Sequence, residues 1–185
     1  MDGMSEALEP DRDAVERFRT VMLPHLDAAY GFARWLTRDP VQAQDVAQEA
    51  MLRALRYFHA FRGGEARPWL LRIVRNTWHD ARLRRGADQP LEAADEKAAD
   101  GPDPEQSAMA GDRRRHLAAV LAALPAESRE ILVLREVEDL TYKEIAAVLD
   151  LPIGTVMSRL ARARERLACD LKRRLGRRDH GLRDL

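Results

Sequence analysis

The sequence predicts an all-α protein made of two small helical domains joined by a flexible linker. Three observations carry this reading. Apolar residues recur at helix spacing through both halves of the 185-residue chain, which is rich in Ala, Leu and Arg and only 5% aromatic. Residues 86–112 are Ala- and acid-rich, hold Pro90, Pro102 and Pro104, and have too few apolar side chains to build a core. Residues 140–167 read as two helices broken at Asp150-Leu151, each with its own start signal.

Residues 1–14 are polar and expected to fray. From Val15 the pattern turns helical, with Phe18, Val21 and Met22 on one face and a break at Pro24. His25 to Thr37 is a second helical window, carried by Leu26, Ala29, Tyr30, Ala33 and Leu36. Asp39 is placed to cap and Pro40 to open a third helix, running to about His59. Val46, Ala50 and the stretch from Leu52 to Leu55 are expected inward, with Asp45, Gln48, Glu49 and Arg53 on or near an exposed face. Two glycines and a proline make residues 61–68 a loop. Trp69 to Arg85 is the next helix. Trp69, Ile73, Asn76 and Asp80 repeat on it at helix spacing, and Trp69 is expected mostly in the core. The first domain thus spans 15–85 and the linker 86–112.

In the second domain, 113–178, Leu117, Val120, Leu121 and Leu124 mark a helix that Pro125 ends. Pro125 opens another, with Ile131, Leu132 and Leu134 packing and a fade near Asp139. Thr141 with Glu144 three residues on is a capping box: the hydroxyl takes a backbone N–H and the carboxylate reaches back to the cap. A short helix follows with Ile145, Val148 and Leu149 on one face. Pro152 is expected at the first position of the next helix, where no N–H is lost. At about 100° per residue, Val156, Leu160, Ala163 and Leu167 cluster on one side of that helix. Thr155, Ser158, Arg159, Arg162 and Arg166 cluster roughly 110° away. Hydroxyls and guanidiniums on one face suit base edges and phosphates, and the pattern fits a helix-turn-helix that sets its second helix in a DNA groove. Residues 179–185 are a tail.

Formal charge is zero overall but distributed in blocks. Residues 62–85 hold seven Arg against two acids, and residues 113–185 hold sixteen bases against eleven acids, so each carries a net +5. Between them, residues 86–112 hold eight acids against one Lys, a net −7 that would keep this stretch off DNA. Two basic surfaces on one chain suggest two contacts with a polyanion. In the first of them, basic residues interleave with aromatics, the combination that grips phosphates while accepting unstacked bases. Asn76 is a neutral amide in that basic helix, able to bond a base edge or to cap a neighbouring loop. The single cysteine, Cys169, permits no internal disulfide. No apolar run is long enough to span a bilayer, and the acidic start lacks the order of a signal peptide. A cytoplasmic protein without membrane insertion is expected. His25, His59, His79, His116 and His180 are scattered without metal-ligand spacing, and neither a phosphate loop nor a nucleophile elbow is present. No enzyme, catalytic residue, metal or cofactor is therefore expected.

Four segments in order resemble the extracytoplasmic-function (ECF) branch of the sigma-70 family of bacterial transcription initiation factors. They are Asp45-Val46-Ala47-Gln48-Glu49-Ala50 with Arg53-Ala54; Phe61-Arg62-Gly63 before Trp69-Leu70-Leu71-Arg72-Ile73-Val74-Arg75-Asn76; Leu124-Pro125 with Arg129-Glu130; and Pro152-Ile153-Gly154-Thr155-Val156 with Ser158-Arg159 and Arg162-Ala163-Arg164. The resemblance covers roughly 23–175. It implies that Asp45, Gln48, Glu49 and Arg53 bind the β′ clamp of core RNA polymerase. It implies that Phe61, Arg62, Leu71, Ile73 and Asn76 engage the −10 element, where a base flips into a pocket at a cost of a few kcal/mol of unstacking. Thr155, Ser158, Arg159, Arg162 and Arg166 would read the −35 element while the same domain holds the β flap. An anti-sigma factor that covers these surfaces is also implied. The chain departs from the commoner pattern at Leu71, where an aromatic is frequent, and at Met157, where a basic residue is frequent. A free-standing helix-turn-helix regulator is the rival reading. It predicts dimeric binding to a palindrome without polymerase, yet no dimerisation helix or effector domain stands out in the sequence.

Overall fold

The computed structural model describes residues 12–86 and 119–180, with side chains up to 173. Among the described residues the regular structure is helical throughout. Helix α1 is Arg12–Met22 and begins earlier than Val15, the expected start. A short 3-10 turn, Leu23–His25, is built around Pro24 and leads into α2, Leu26–Thr37. Helix α3 is Pro40–Arg56. Its cap is the one read from the sequence: Asp39 Oδ1 accepts from the N–H of Val41 at 2.8 Å and of Gln42 at 3.1 Å. The Gln42 bond leads in holding the Asp39 carboxyl below its usual pKa. Helix α4 is Ala66–Gly86.

The stripe of α3 that faces its neighbours is mostly alanine, with Ala43, Val46, Ala47, Ala50 and Ala54 buried. Small side chains let α2 and α4 approach closely. Leu52 and Leu55 do not turn inward as expected, being 59% and 43% exposed. Leu52 sits two residues, about 200° of helix, from Ala50 and from Ala54, opposite the packed stripe.

The second domain begins with a helical turn at 119–122, and the rest of the expected 113–123 helix lies outside the described residues. Helix α5, Ala126–Leu132, widens into a π-turn over Val133–Val137 and stops at Asp139, whose φ is 49°. The N–H of Glu138 reaches back to the Val133 carbonyl at 3.0 Å. Such a turn re-aims the residues that follow it, and it leaves Glu138 only 4% exposed. Helix α6 is Tyr142–Leu149, and its capping box is complete. The Thr141 N–H donates to Glu144 at 2.7 Å, and the Glu144 N–H to the Thr141 hydroxyl at 3.3 Å. Replacing Thr141 with Ala should lower the stability of this domain by about 1 kcal/mol, measured by denaturant unfolding, with Thr141→Ser close to wild type.

Asp150 closes α6 in the left-handed region at φ 55°. Helix α7 is Ile153–His180, so it runs past the expected end of the domain at 178. Pro152 sits one place earlier than expected. It is the cap rather than the first helical residue, and its carbonyl accepts from the N–H groups of Thr155 and Val156 at 2.9 and 3.1 Å.

The two domains do not stand apart. Buried residues from Phe18 to Ala163 form one continuous apolar cluster, and α6 packs on α4. No helix among the described residues is long and apolar enough to cross a membrane.

Candidate nucleic-acid interface

Helix α7 is split lengthwise as its spacing predicts. Val156, Leu160 and Ala163 are buried, and Leu167 packs partly against the same cluster. On the other side Ser158, Arg162 and Arg166 are exposed, with Thr155 and Arg159 half-exposed. Burial of one face fixes the roll of the helix, and that roll decides which side chains meet a groove. The polar face is ordered from within. Ser158 Oγ donates to the Thr155 carbonyl at 3.0 Å, and Arg162 Nε to the Ser158 carbonyl at 3.3 Å. Arg159 lies 3.6 Å from Glu127 of α5, and Arg166 donates to Ser128 Oγ at 3.2 Å. Arg166 thus leans toward α5, one turn beyond the part of α7 that leads the face. Exposed Ile153 and Met157 add apolar surface beside it.

In the first domain an aromatic row positions the loop before α4. Phe18 meets Phe58 edge-on at 5.4 Å, Phe58 stacks on Phe61 at 5.8 Å, and Phe61 meets Trp69 at 5.3 Å. Gly63 and Gly64 follow with φ of 88° and 95°, values that side chains rarely adopt. Arg62 is exposed at the start of this turn and Asn76 is exposed on α4, while Ile73 is half-buried between them in sequence. Leu71, expected as a wall of a base pocket, has no exposed surface and packs in the core. Its neighbours Leu70 and Val74 are fully buried with it, so the inward stripe of α4 includes position 71. Trp69 is partly buried against the core, as expected.

The α3 face presents Asp45 and Gln48 to solvent, with Glu49 half-exposed. Arg53 differs from these. Its Nε donates to Glu49 at 2.9 Å and a terminal nitrogen to Asp80 of α4 at 2.5 Å, so it braces α3 against α4. The bond to Asp80 leads in raising the Arg53 pKa. Among the described residues no group of His, Cys, Asp and Glu is arranged to hold a metal.

Sequence reasoning passed over a set of ion pairs between the domains. Arg75 Nε donates to Glu130 Oε1 at 2.7 Å, with the two side chains 20% and 9% exposed. Arg67 donates to Glu138, and Arg72 lies 4.0 Å from Asp150. Burial, before anything else, pushes the Glu130 and Glu138 carboxyls above the usual glutamate range, and the guanidiniums of Arg75 and Arg67 oppose it.

Two helical modules, one with an exposed Ser and Arg face on α7 and one with a basic helix behind an aromatic-anchored loop, are of the class that suits nucleic-acid binding. Residues 22–87 match the family model described as Sigma-70 region 2, and residues 114–167 the one described as Sigma-70, region 4. The chain is 35% identical over 176 residues to the RNA polymerase sigma-H factor of Pseudomonas aeruginosa, covering 85% of this chain and 91% of that one. It is 36% identical over 132 residues to the ECF RNA polymerase sigma-E factor of Escherichia coli K12, covering 65% and 69%. Among solved structures, the sigma factor RpoE in complex with the anti-sigma factor NepR from Bartonella quintana matches with a TM-score of 0.71 and 29% identity, covering 85% of this chain and 98% of that one. CnrH in complex with the cytosolic domain of CnrY matches with a TM-score of 0.60 and 27% identity, covering 87% and 93%. The chain belongs to the ECF sigma factors of the sigma-70 family.

Proposed function

We propose that the chain directs core RNA polymerase to a set of promoters and helps to open them. Helix α7 reads the −35 element through Thr155, Ser158, Arg159, Arg162 and Arg166. Arg62, Phe61 and Asn76 engage the −10 element with Ile73, and Leu71 supports that surface from inside. Asp45, Gln48 and Glu49 take the β′ clamp, and Arg53 keeps α3 in register with α4 beneath them. The observation that carries this reading is the exposed Ser158–Arg162 row on a helix whose opposite face is buried at Val156, Leu160 and Ala163. A regulator that binds duplex alone needs only that row. A sigma factor needs the second, basic module too, and both are in this chain.

An anti-sigma factor is part of the proposal. Leu23, Leu26 and Tyr30 are exposed around the start of α2, and Leu52 and Leu55 on α3, apolar surface that favours a covering partner. Of the solved structures above, the Bartonella quintana sigma factor is in complex with an anti-sigma factor and CnrH with the cytosolic domain of CnrY. Affinity capture of the tagged chain from resting cells should recover an anti-sigma factor; capture of polymerase alone would remove this part.

Run-off transcription with purified core polymerase and genomic templates tests the main claim. Transcripts should start at discrete promoters only when the chain is added. Asn76→Ala should leave polymerase and duplex binding intact but slow opening by about 10- to 100-fold, the loss of one buried hydrogen bond to an extruded base at roughly 1.5–3 kcal/mol. Permanganate footprinting of the opened region reads that step directly. Failure to associate with core polymerase, with tight unaided binding to a palindrome, would instead support the lone-regulator reading.

A further inference from the structure

We propose that the free chain holds itself closed, with carboxylates of the second domain standing in for DNA phosphates on the basic face of α4. This rests on the reading of α4 as the −10 module. Arg67, Arg72 and Arg75 lie in the first three turns of α4, within the stretch that contains Ile73 and Asn76. Each faces an acid of the other domain: Glu138, Asp150 and Glu130. A guanidinium meets a carboxylate and a phosphate with the same donors and geometry. The two ligands therefore compete, and in the closed chain Arg67 and Arg75 are already occupied while Arg72 lies near Asp150.

The contact is more than a surface charge match. Glu138 is 4% exposed and Glu130 is 7% exposed. A carboxylate at that depth is costly unless a cation pairs with it. The cation opposite Glu138 comes from the other domain. The π-turn of 133–137 supplies the aim, because it ends the helix so that Glu138 points inward. On opening, both carboxylates regain water and both arginines become available. The similarity to the NepR-bound sigma factor, at a TM-score of 0.71 over 85% of this chain, takes in both domains together.

The test uses the full chain and two readouts. Small-angle scattering should show wild type compact at low salt and the double variant Glu130→Gln/Glu138→Gln expanded. The charge swap Arg75→Glu/Glu130→Arg should return to the compact dimensions, and helical content by circular dichroism should be unchanged in all three. A fluorescent single-stranded −10 oligonucleotide should bind the double variant about tenfold more tightly than wild type, since the closed population no longer competes. Identical scattering for wild type and the double variant would overturn the closed state. Expansion without tighter oligonucleotide binding would overturn the phosphate mimicry. Neither result touches the −10 assignment itself, which the Asn76→Ala run-off assay decides separately.

Discussion

Replacing Leu160 with Ala should destabilise the second domain by about 2–5 kcal/mol, the range for an aliphatic side chain removed from a packed core. Leu160 is 1% exposed and lies between Val156 and Ala163, both equally buried. It belongs to the face by which α7 packs on α5 and α6. A void there loosens the roll of α7 as well as lowering stability. Transcription from −35-dependent promoters should fall in step with unfolding of this domain, followed by denaturant titration. Met157→Ala is the matched control. Met157 is 54% exposed on the same helix, so its truncation should stay within about 0.5 kcal/mol of wild type. Equal losses at 157 and 160 would show that α7 does not dock by this face.

How far the sequence revealed this arrangement depends on the range of the forces involved. The capping box at Thr141 and Glu144 spans one turn, and its partners are fixed by local spacing. The two faces of α7 follow from helix period alone. Asp39 and Pro40 announced α3 for the same reason. Period alone says less about which stripe is inward when alanines compete with leucines. On α3 the alanines won, because close approach of three helices is worth more than burying Leu52 and Leu55 on a side without a neighbour. Leu71 shows the converse: a residue expected at a binding surface is apolar and lies on the packed stripe of α4.

The pairs between the domains were the least legible. Arg75 and Glu130 are 55 residues apart, and Arg67 and Glu138 are 71 apart. Nothing in a helix period or a cap links positions so distant. Each residue, read alone, is an ordinary charge on a helix. What could have raised the question is the π-turn, whose five-residue span shifts Glu138 off the face that a regular helix would give it. That shift is itself a product of packing. The acid–base pattern along the chain did suggest two basic surfaces, but the acidic block between them lies, beyond Gly86, outside the described residues. Within the described ones, carboxylates of the second domain meet the basic helix of the first.

Arg159→Ala should cost about 1–3 kcal/mol of discrimination at the −35 element, which is roughly 5- to 150-fold in initiation. The structure separates this from a stability effect. Arg159 is held 3.6 Å from Glu127, and the two side chains are 35% and 77% exposed. An ion pair that open to solvent contributes about 0–1 kcal/mol to folding, so the variant should unfold close to wild type. Glu127 instead sets where the guanidinium rests in the free chain, and on the proposed −35 role it must yield when a base edge or phosphate takes its place. Glu127→Gln should therefore bind −35 duplex in holoenzyme as well as wild type or better. Arg159→Lys should not rescue Arg159→Ala, because an ammonium lacks the planar fork for bidentate contact. Paired run-off reactions on matched and single-base-altered −35 templates separate the two roles open to Arg159. A base contact changes the ratio between templates. A phosphate contact lowers both equally and leaves the ratio where it was, and that outcome would move base reading to Ser158 and Arg162, the exposed pair on the same face.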